Sequence, residues 1–232
     1  MIGLSISRPD SLSILALGAH ADDIEIGAAG FILELLKAGR VGNLTWVVLS
    51  ADGARADEAR ASAKRLVGSR APLTVEVGAF RERYFPYHPE IKESFDALGR
   101  RVRPDLVVAP RLEDRHQDHR IVSELAWQTF RGSLILEYEI PKYEGDLGSP
   151  NFYVPLATPT LDRKVDHLLA AFPSQRDRSW FSAETFRGLA RIRGIEAACS
   201  SGYAEGFTCR KATLFGSSSV LDSTDAAGHG TY

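Results

Sequence analysis

The sequence is short of cysteine, with only Cys199 and Cys209 among its 232 residues. Two cysteines cannot form a disulfide framework and are too few for a structural zinc site, so their use predicts a reducing compartment. No apolar run has the length that a transmembrane helix requires. The first twenty residues also lack a basic segment ahead of a long apolar run, which argues against a signal peptide. We therefore expect a cytoplasmic protein with no membrane span.

The sequence also lacks an excess of charge of either sign. Its 28 Lys and Arg residues nearly balance its 30 Asp and Glu residues, which leaves a formal net charge of −2. No global field therefore draws the chain to nucleic acid or to an anionic membrane. The apolar share of 44% and the charged share of 25% are ordinary for a globular protein. We expect one domain over residues 1–216 and a flexible tail over residues 217–232, which are small and polar.

Short apolar runs alternate with helical patterns over the first part of the chain. The runs predict strands at Ser13–Gly18, Leu44–Ser50, Leu73–Gly78, Leu106–Ala109 and Leu134–Tyr138. Helices are predicted between them at Ile26–Ala38, Ala56–Leu66, Glu90–Val102 and Asp118–Phe130. An extended piece at Asn151–Leu156 and helices at Leu161–Ala171 and Ser182–Ala198 follow. This alternation is typical of βαβ units in a doubly wound, mostly parallel sheet covered by helices.

Polar side chains follow two of these strands at the point where each strand ends. The first strand is followed by His20, Asp22 and Asp23. The fourth is followed by a segment that contains Glu113, Asp114, His116, Asp118 and His119. Sites in open α/β sheets form at the carboxyl ends of strands, near a topological switch point. The sequence therefore predicts a site where three histidines and several carboxylates meet.

Three of these side chains match the ligand set of a catalytic zinc ion. His20, Asp23 and His119 provide two imidazoles and one carboxylate, which leaves an open position for water. Bound zinc lowers the pKa of that water toward neutrality and so produces a nucleophile. Asp22, adjacent to a ligand, is the candidate general base that accepts the proton of the water.

Two further residues of the second segment are candidates for catalysis. His116 lies one helical turn before His119, and as a cation it could stabilise a developing oxyanion or protonate a leaving amine. Asp118 could hydrogen-bond a histidine ring and fix its orientation. The hypothesis is therefore a metal-assisted amide hydrolase.

Simpler explanations exist for each segment taken alone. Asp22 or Asp23 could cap the helix that follows, and the second segment could be a polar helix start with Asp118 near the helix dipole. A nucleotide-binding protein is disfavoured for two reasons. The glycines do not form GxGxxG, and two carboxylates at the N-terminus of the helix would repel a phosphate that binds there. A non-catalytic metal-binding protein has no need of Asp22 and His116. The coincidence of two clusters at two strand ends favours the enzyme.

At these positions the sequence resembles the LmbE-like or PIG-L-like zinc N-deacetylases. Their paired motifs AHPDD and HPDH read AHADD and HQDH here, with Ala21 and Gln117 in place of the prolines. The resemblance extends to IEIGAAG after the first motif, to PSQ at residues 173–175 and to YAEGF at residues 203–207. It covers roughly residues 13–215 and is strongest to the branch of the bacillithiol-pathway N-acetylglucosaminyl-malate deacetylases.

The resemblance implies a Rossmann-like fold and the hydrolysis of an N-acetyl group on an N-acetylglucosamine-type sugar conjugate. Zinc, or iron(II) or manganese(II) in its place, is the implied cofactor, and a homo-oligomer is the implied assembly. The motif positions assign the same ligands and base, with His116 stabilising the oxyanion and Asp118 as its partner. Arg55 falls where the family places a substrate-binding arginine. The pair Glu82-Arg83 aligns loosely with an Asp-Arg pair that the family places near the sugar, and a solvated charged loop is the alternative. An amidase acting on a larger acyl or thiol-conjugate substrate is a second hypothesis.

Overall fold

The computed structural model describes residues 11–213, and its centre is a seven-stranded sheet. The strands are β1 (Leu12–His20), β2 (Val41–Ser50), β3 (Leu73–Val77), β4 (Leu106–Pro110), β5 (Leu134–Tyr138), β6 (Phe152–Pro155) and β7 (Ala204–Thr208). Their order across the sheet is β3-β2-β1-β4-β5-β7-β6. The first five strands are parallel, and β7 pairs antiparallel with both of its neighbours. The predicted fold class, a mostly parallel Rossmann-like sheet, is therefore confirmed.

Helices cover both faces of this sheet. They are α1 (Asp23–Lys37), α2 (Gly53–Val67), α3 (Pro89–Arg101), α4 (Gln117–Thr129), α5 (Thr158–Ala171) and α6 (Ala183–Glu196). Two short 3₁₀ turns, Phe85–Tyr87 and Pro173–Gln175, lie in the connections. All six predicted helices are present, and none of their ends differs from the prediction by more than a single turn. None of the helices in the described part of the chain is long and apolar enough to span a membrane.

The core has two layers, because β1 is buried on both sides and its side chains alternate between them. Ile14 and Ala16 face a cluster formed with α1, α2, α5 and α6. Leu15 and Leu17 face a second cluster formed with α3 and α4. Such continuous apolar strands occur where both faces of a parallel sheet are covered. The chain thus forms three layers with β1 at the centre.

The order of the strands places a switch point between β1 and β4. The chain leaves β1 toward β2 and β3 on one side, and β4 and β5 then continue on the other side. Both β1 and β4 run parallel and end at the same edge of the sheet. The crevice outside these two ends is the position at which such sheets bind ligands.

Strand β7 was not predicted. Its sequence, AEGFT, contains a buried glutamate and a glycine, and neither residue type is typical of strands. It is held by pairing with β5 and β6 on either side, which are distant in sequence. Cys199 and Cys209 are free thiols. The predicted tail at residues 217–232 lies outside the described residues.

Candidate metal centre

The first cluster forms where β1 passes into α1. His20 is the last residue of β1, Asp22 occupies the N-cap position of α1, and Asp23 is its first helical residue. The Asp22 side chain makes no capping hydrogen bond. The Asp23 carboxylate turns back toward the strand instead, and its Oδ2 accepts a hydrogen bond from the backbone N–H of His20 at 2.8 Å. Helix capping therefore does not explain these two aspartates.

The second cluster meets the first across the switch point. His119, in the first turn of α4, places Nε2 3.1 Å from Nδ1 of His20. Oδ2 of Asp23 lies 3.5 Å from Nδ1 of His20 and 3.4 Å from Nε2 of His119. Three atoms from two distant segments thus form a nearly equilateral triangle. All three side chains are buried.

The size of this triangle fits a divalent ion. A tetrahedral ion with bonds of about 2.0–2.1 Å to nitrogen and oxygen separates its ligand atoms by about 3.4 Å. The three edges observed bracket that value. The two imidazole nitrogens that face each other at 3.1 Å can share either a proton carried by one of the rings or a metal ion that both rings bind. The chemistry of the donor set therefore fits a metal ion.

Two carboxylates contact the ring nitrogens of His20 and His119 that do not face the triangle, and so orient both imidazoles. Oδ2 of Asp118 lies 3.1 Å from Nε2 of His20, and Oδ2 of Asp114 lies 2.9 Å from Nδ1 of His119. Each contact leaves the other ring nitrogen free to face the triangle, as outer carboxylates do in metal sites. The structure corrects one assignment, because the Asp118 carboxylate contacts His20 and not His116. Asp114 was part of the predicted segment, but the sequence assigned it no role.

The carboxylates make the cluster strongly attractive to positive charge. Burial lowers the pKa of His20, but the charge of Asp23 and the hydrogen bond to Asp118 outweigh it and raise this pKa to about 10. Burial likewise lowers the pKa of His119, but Asp23 and Asp114 raise it to about 9. Without a metal, these carboxylates therefore favour positive charge on the pair of rings at neutral pH. A divalent ion would supply that charge instead.

His116 lies beside the triangle and completes a trio of imidazoles. One ligand atom each of His20, His116 and His119 lies within 4.8 Å of the others. However, His116 is the N-cap of α4, and its Nδ1 accepts the backbone N–H of Asp118 at 3.3 Å. The neutral ring therefore carries its proton on Nε2. Burial, with the charges of the other two rings, lowers the pKa of His116, so a neutral donor is favoured over the predicted cation.

Asp22 is buried next to the triangle without being part of it. Its Oδ1 lies 3.5 Å from Nη2 of Arg55, whose Nη1 lies 3.5 Å from Glu82. Burial and the charge of Asp23 together raise the pKa of Asp22 to about 6, against the opposing charge of Arg55. A carboxylate with a pKa near neutrality is a suitable proton acceptor.

Arg83 contacts the cluster through its backbone, and its side chain is largely exposed. Its N–H donates to Oδ2 of Asp118 at 2.6 Å, and its φ of 69° lies in the left-handed region. Such strain in a residue other than glycine persists only where the surroundings hold it. The side chain is 71% exposed and lies 3.7 Å from Glu82. Both Arg83 and Arg55 line the cavity above the triangle.

That cavity has a volume of about 270 Å³ and opens above the imidazoles. Its wall includes residues that sequence reasoning did not place here, namely Lys142, Tyr143, Glu144, Gln175, Arg178 and Trp180. Lys142 pairs with Asp114 at 2.8 Å and with Asp146 at 2.9 Å, so it joins the loop after β5 to the second cluster. The motif PSQ was a signal for Gln175, but nothing in the sequence singled out Lys142.

Fold and site together define a class, the α/β proteins whose strand switch point carries a cluster of histidines and carboxylates that could hold a metal ion. A family comparison then identifies the group within that class. The model of the family described as PIG-L: GlcNAc-PI de-N-acetylase matches residues 15–130, which include both clusters. The chain therefore belongs to the PIG-L family, the LmbE-like group.

Solved structures share the fold. A conserved protein of Thermus thermophilus superposes with a TM-score of 0.69 at 22% identity, covering 89% of this chain and 98% of its own. The N,N'-diacetylchitobiose deacetylase of Pyrococcus horikoshii gives 0.66 at 22% identity, with coverages of 84% and 82%. GalB, the 4-carboxy-2-hydroxymuconate hydratase of Pseudomonas putida KT2440, gives 0.68 at 20% identity, with coverages of 88% and 98%. The scaffold alone therefore does not select a reaction.

Proposed function

We propose that this protein is a metal-dependent N-deacetylase that hydrolyses the N-acetyl group of an N-acetylglucosamine-type sugar conjugate. The observation that carries the proposal is the triangle of His20, Asp23 and His119, with Asp22 buried beside it and outside it. A ligand set and a separate carboxylate in this arrangement serve metal-assisted hydrolysis. Membership of the PIG-L family and the fold shared with a chitobiose deacetylase support the choice of an acetylated amino sugar.

In this proposal the three triangle residues hold zinc, or iron(II) or manganese(II) in its place. Such an ion supplies a Lewis acid and lowers the pKa of water toward neutrality. Asp23 is preferred to His116 as the third ligand, because its oxygen completes the triangle whereas the capping bond occupies Nδ1 of His116. Asp118 and Asp114 keep the ring orientation of the two ligating histidines.

The remaining side chains are proposed to transfer the proton, stabilise the oxyanion and bind the substrate. Asp22 accepts the proton of the attacking water as general base. His116 keeps its proton and donates a hydrogen bond from Nε2–H to the oxyanion that develops on the acetyl carbonyl. The proton held by Asp22 is available to the leaving amine, so that acetate and a free amino sugar result. Arg55 and Arg83, on the cavity wall, are proposed to bind the sugar hydroxyls or its aglycone.

The test is a screen of N-acetylglucosaminides with the metal-loaded protein, read by mass spectrometry. Loss of one acetyl mass from a sugar conjugate supports the proposal and identifies the substrate class. Turnover of larger acyl amides with no acetyl release would support the alternative of a broader amidase. Metal binding without hydrolysis of any amide would refute the enzymatic assignment. The bacillithiol-pathway substrate is one member of the screen, and its selection over the others stays a prediction.

A further inference from the structure

A buried ion pair lies behind α1, away from the substrate cavity. Nζ of Lys164, on α5, lies 2.6 Å from Oε1 of Glu205, on β7. Their side chains are only 7% and 5% exposed. Removing two charges from water costs free energy that their attraction does not reliably recover, so a buried pair is weak evidence for a purely stabilising role. Its other contacts indicate a different role.

Both members of the pair bond to the backbone of α1. Oε1 of Glu205 accepts the N–H of Gly30 at 2.8 Å, and Oε2 accepts the N–H of Phe31 at 2.7 Å. Nζ of Lys164 donates to the carbonyl of Ile26 at 2.6 Å. In an ordinary helix, the N–H of residue 30 donates to the carbonyl of residue 26. The ion pair thus supplies additional partners to both ends of one backbone hydrogen bond in α1.

The sequence of α1 makes room for this contact. A Cβ added at Gly30 would lie 2.8 Å from Oε1 of Glu205. A Cβ added at Gly27 would lie 2.1 Å from the ring of Tyr138, whose hydroxyl donates to the carbonyl of Leu17 at 2.7 Å. The two glycines of IEIGAAG therefore let α1 approach the strands β5 and β7 closely. The helix therefore packs on β1 and β5 and is also bonded to the ion pair through its backbone.

These contacts act on the segment that carries a proposed metal ligand. Ile26 follows Asp23 by three residues and Gly30 follows it by seven, so both lie on the same side of the helix, one and two turns away. The backbone position of Asp23 determines where its carboxylate meets the two imidazoles. Displacements of about 1 Å are enough to impair a catalytic site.

We propose that the Lys164–Glu205 ion pair is a positioning element that fixes the first two turns of α1 and thereby places Asp23 in the metal triangle. The inference rests on the proposed metal site. It assigns a function to a part of the chain that lies outside the family match, which ends at residue 130. Neither residue contacts the substrate cavity or a ligand side chain, so neither is a catalytic residue.

The test compares Glu205→Gln and Lys164→Met with Leu98→Ala, a core truncation on α3 that serves as a control for loss of stability. Leu98 lies in the cluster on the opposite face of the sheet. Thermal denaturation gives the stability of each variant. Zinc affinity is measured by competition with a chromophoric chelator. Hydrogen exchange with mass spectrometry, on the metal-free proteins, follows the backbone amides of α1.

We expect each ion-pair variant to weaken zinc binding about tenfold or more, as substitutions behind metal ligands do. Exchange should accelerate in α1 and not in α3 or α4. The control should keep its zinc affinity within about threefold despite a comparable loss of thermal stability. If zinc affinity and α1 exchange in both variants match the control, the positioning role is wrong.

Other outcomes are also decisive. If one variant does not fold, the double variant Lys164→Met/Glu205→Gln replaces it, because neutralising both members leaves no unpaired buried charge. If the unaltered protein binds no divalent ion, the proposed function fails, and the exchange of the α1 amides still decides whether the ion pair fixes the helix. Faster exchange confined to α1 supports the positioning element, and unchanged exchange overturns it.

Discussion

Replacing Asp22 with asparagine should separate proton transfer from metal binding. The two adjacent aspartates face different groups, because Oδ2 of Asp23 lies within 3.5 Å of both imidazoles whereas Oδ1 of Asp22 lies 3.5 Å from Arg55. Asparagine keeps the shape of Asp22 but cannot accept a proton at neutral pH. The metal triangle should therefore remain while the base is lost.

The magnitude follows from the role of a general base. A positioned base contributes about 10²–10⁴ in rate, which corresponds to about 3–5 kcal/mol of transition-state stabilisation. We expect kcat of Asp22→Asn to fall by this factor with metal content unchanged. Asp23→Asn, the matched variant, should lose metal occupancy as well as activity.

The pH profile gives a second measure of the same residue. Burial raises the pKa of Asp22 to about 6, and the charge of a bound ion would lower it. The active form is the carboxylate, so activity should fall as the pH drops, with its acid limb at or below about pH 6. Metal content is measured by elemental analysis and turnover by acetate release. A variant that loses metal as Asp23→Asn does, or that retains turnover within about threefold, would refute the assignment of Asp22.

Three further predictions concern the surroundings of the site and the stability of the fold. Asp114→Asn and Asp118→Asn should each weaken zinc binding about 10–100-fold in a chelator competition, because each removes the charge that orients an imidazole, and unchanged affinity would contradict this. Gly27→Ala should destabilise the fold by about 1–3 kcal/mol in urea denaturation, since the added methyl group overlaps a buried tyrosine ring. Gly188→Ala is the control in another helix, where an added Cβ has no atom within 4 Å, and it should be neutral or stabilising by up to about 1 kcal/mol. Equal losses of stability in the two variants would refute the packing argument. Burial and two nearby arginines lower the pKa of His167 to about 4, so its contribution to stability is present above pH 6.5 and is lost as the pH falls toward 4, by at most about 3 kcal/mol. His167→Gln should remove that part of the pH dependence, and parallel stability curves for the two proteins would show that the residue does not titrate in this way.

The fold could be predicted from sequence wherever the local pattern and the final burial agree. The run from Ser13 to Gly18 predicts a strand buried on both faces, and β1 is such a strand. The parallel direction of β1 to β5 follows from their alternation with helices, whereas alternation alone does not choose among the strand orders of doubly wound sheets. Strand β7 could not be predicted, because its burial comes from two distant partners and its first three residues, Ala, Glu and Gly, are of types depleted in strands.

The candidate site shows a similar division. Residue types and strand ends predicted that His20, Asp23 and His119 would meet, because parallel strands that end together bring their following loops together. Which nitrogen of each ring faces the triangle depends on the side-chain torsions and could not be read from sequence. The family resemblance pairs Asp118 with His116, whereas the Asp118 carboxylate contacts His20. The role of Asp114 was missed because these torsions could not be read from sequence.

The position of β7 between β5 and β6 has a consequence for how the protein is made. This strand is the last in the chain among the described residues, yet it occupies an interior place in the sheet. On the ribosome, β5 and β6 emerge before β7 and cannot join through it until β7 has been synthesised. Until then the edge of β5 lacks its partner strand and α1 lacks the carboxylate of Glu205. A chain that ends before β7 would therefore carry both clusters of histidines and carboxylates without the contacts that Glu205 makes to the backbone of α1.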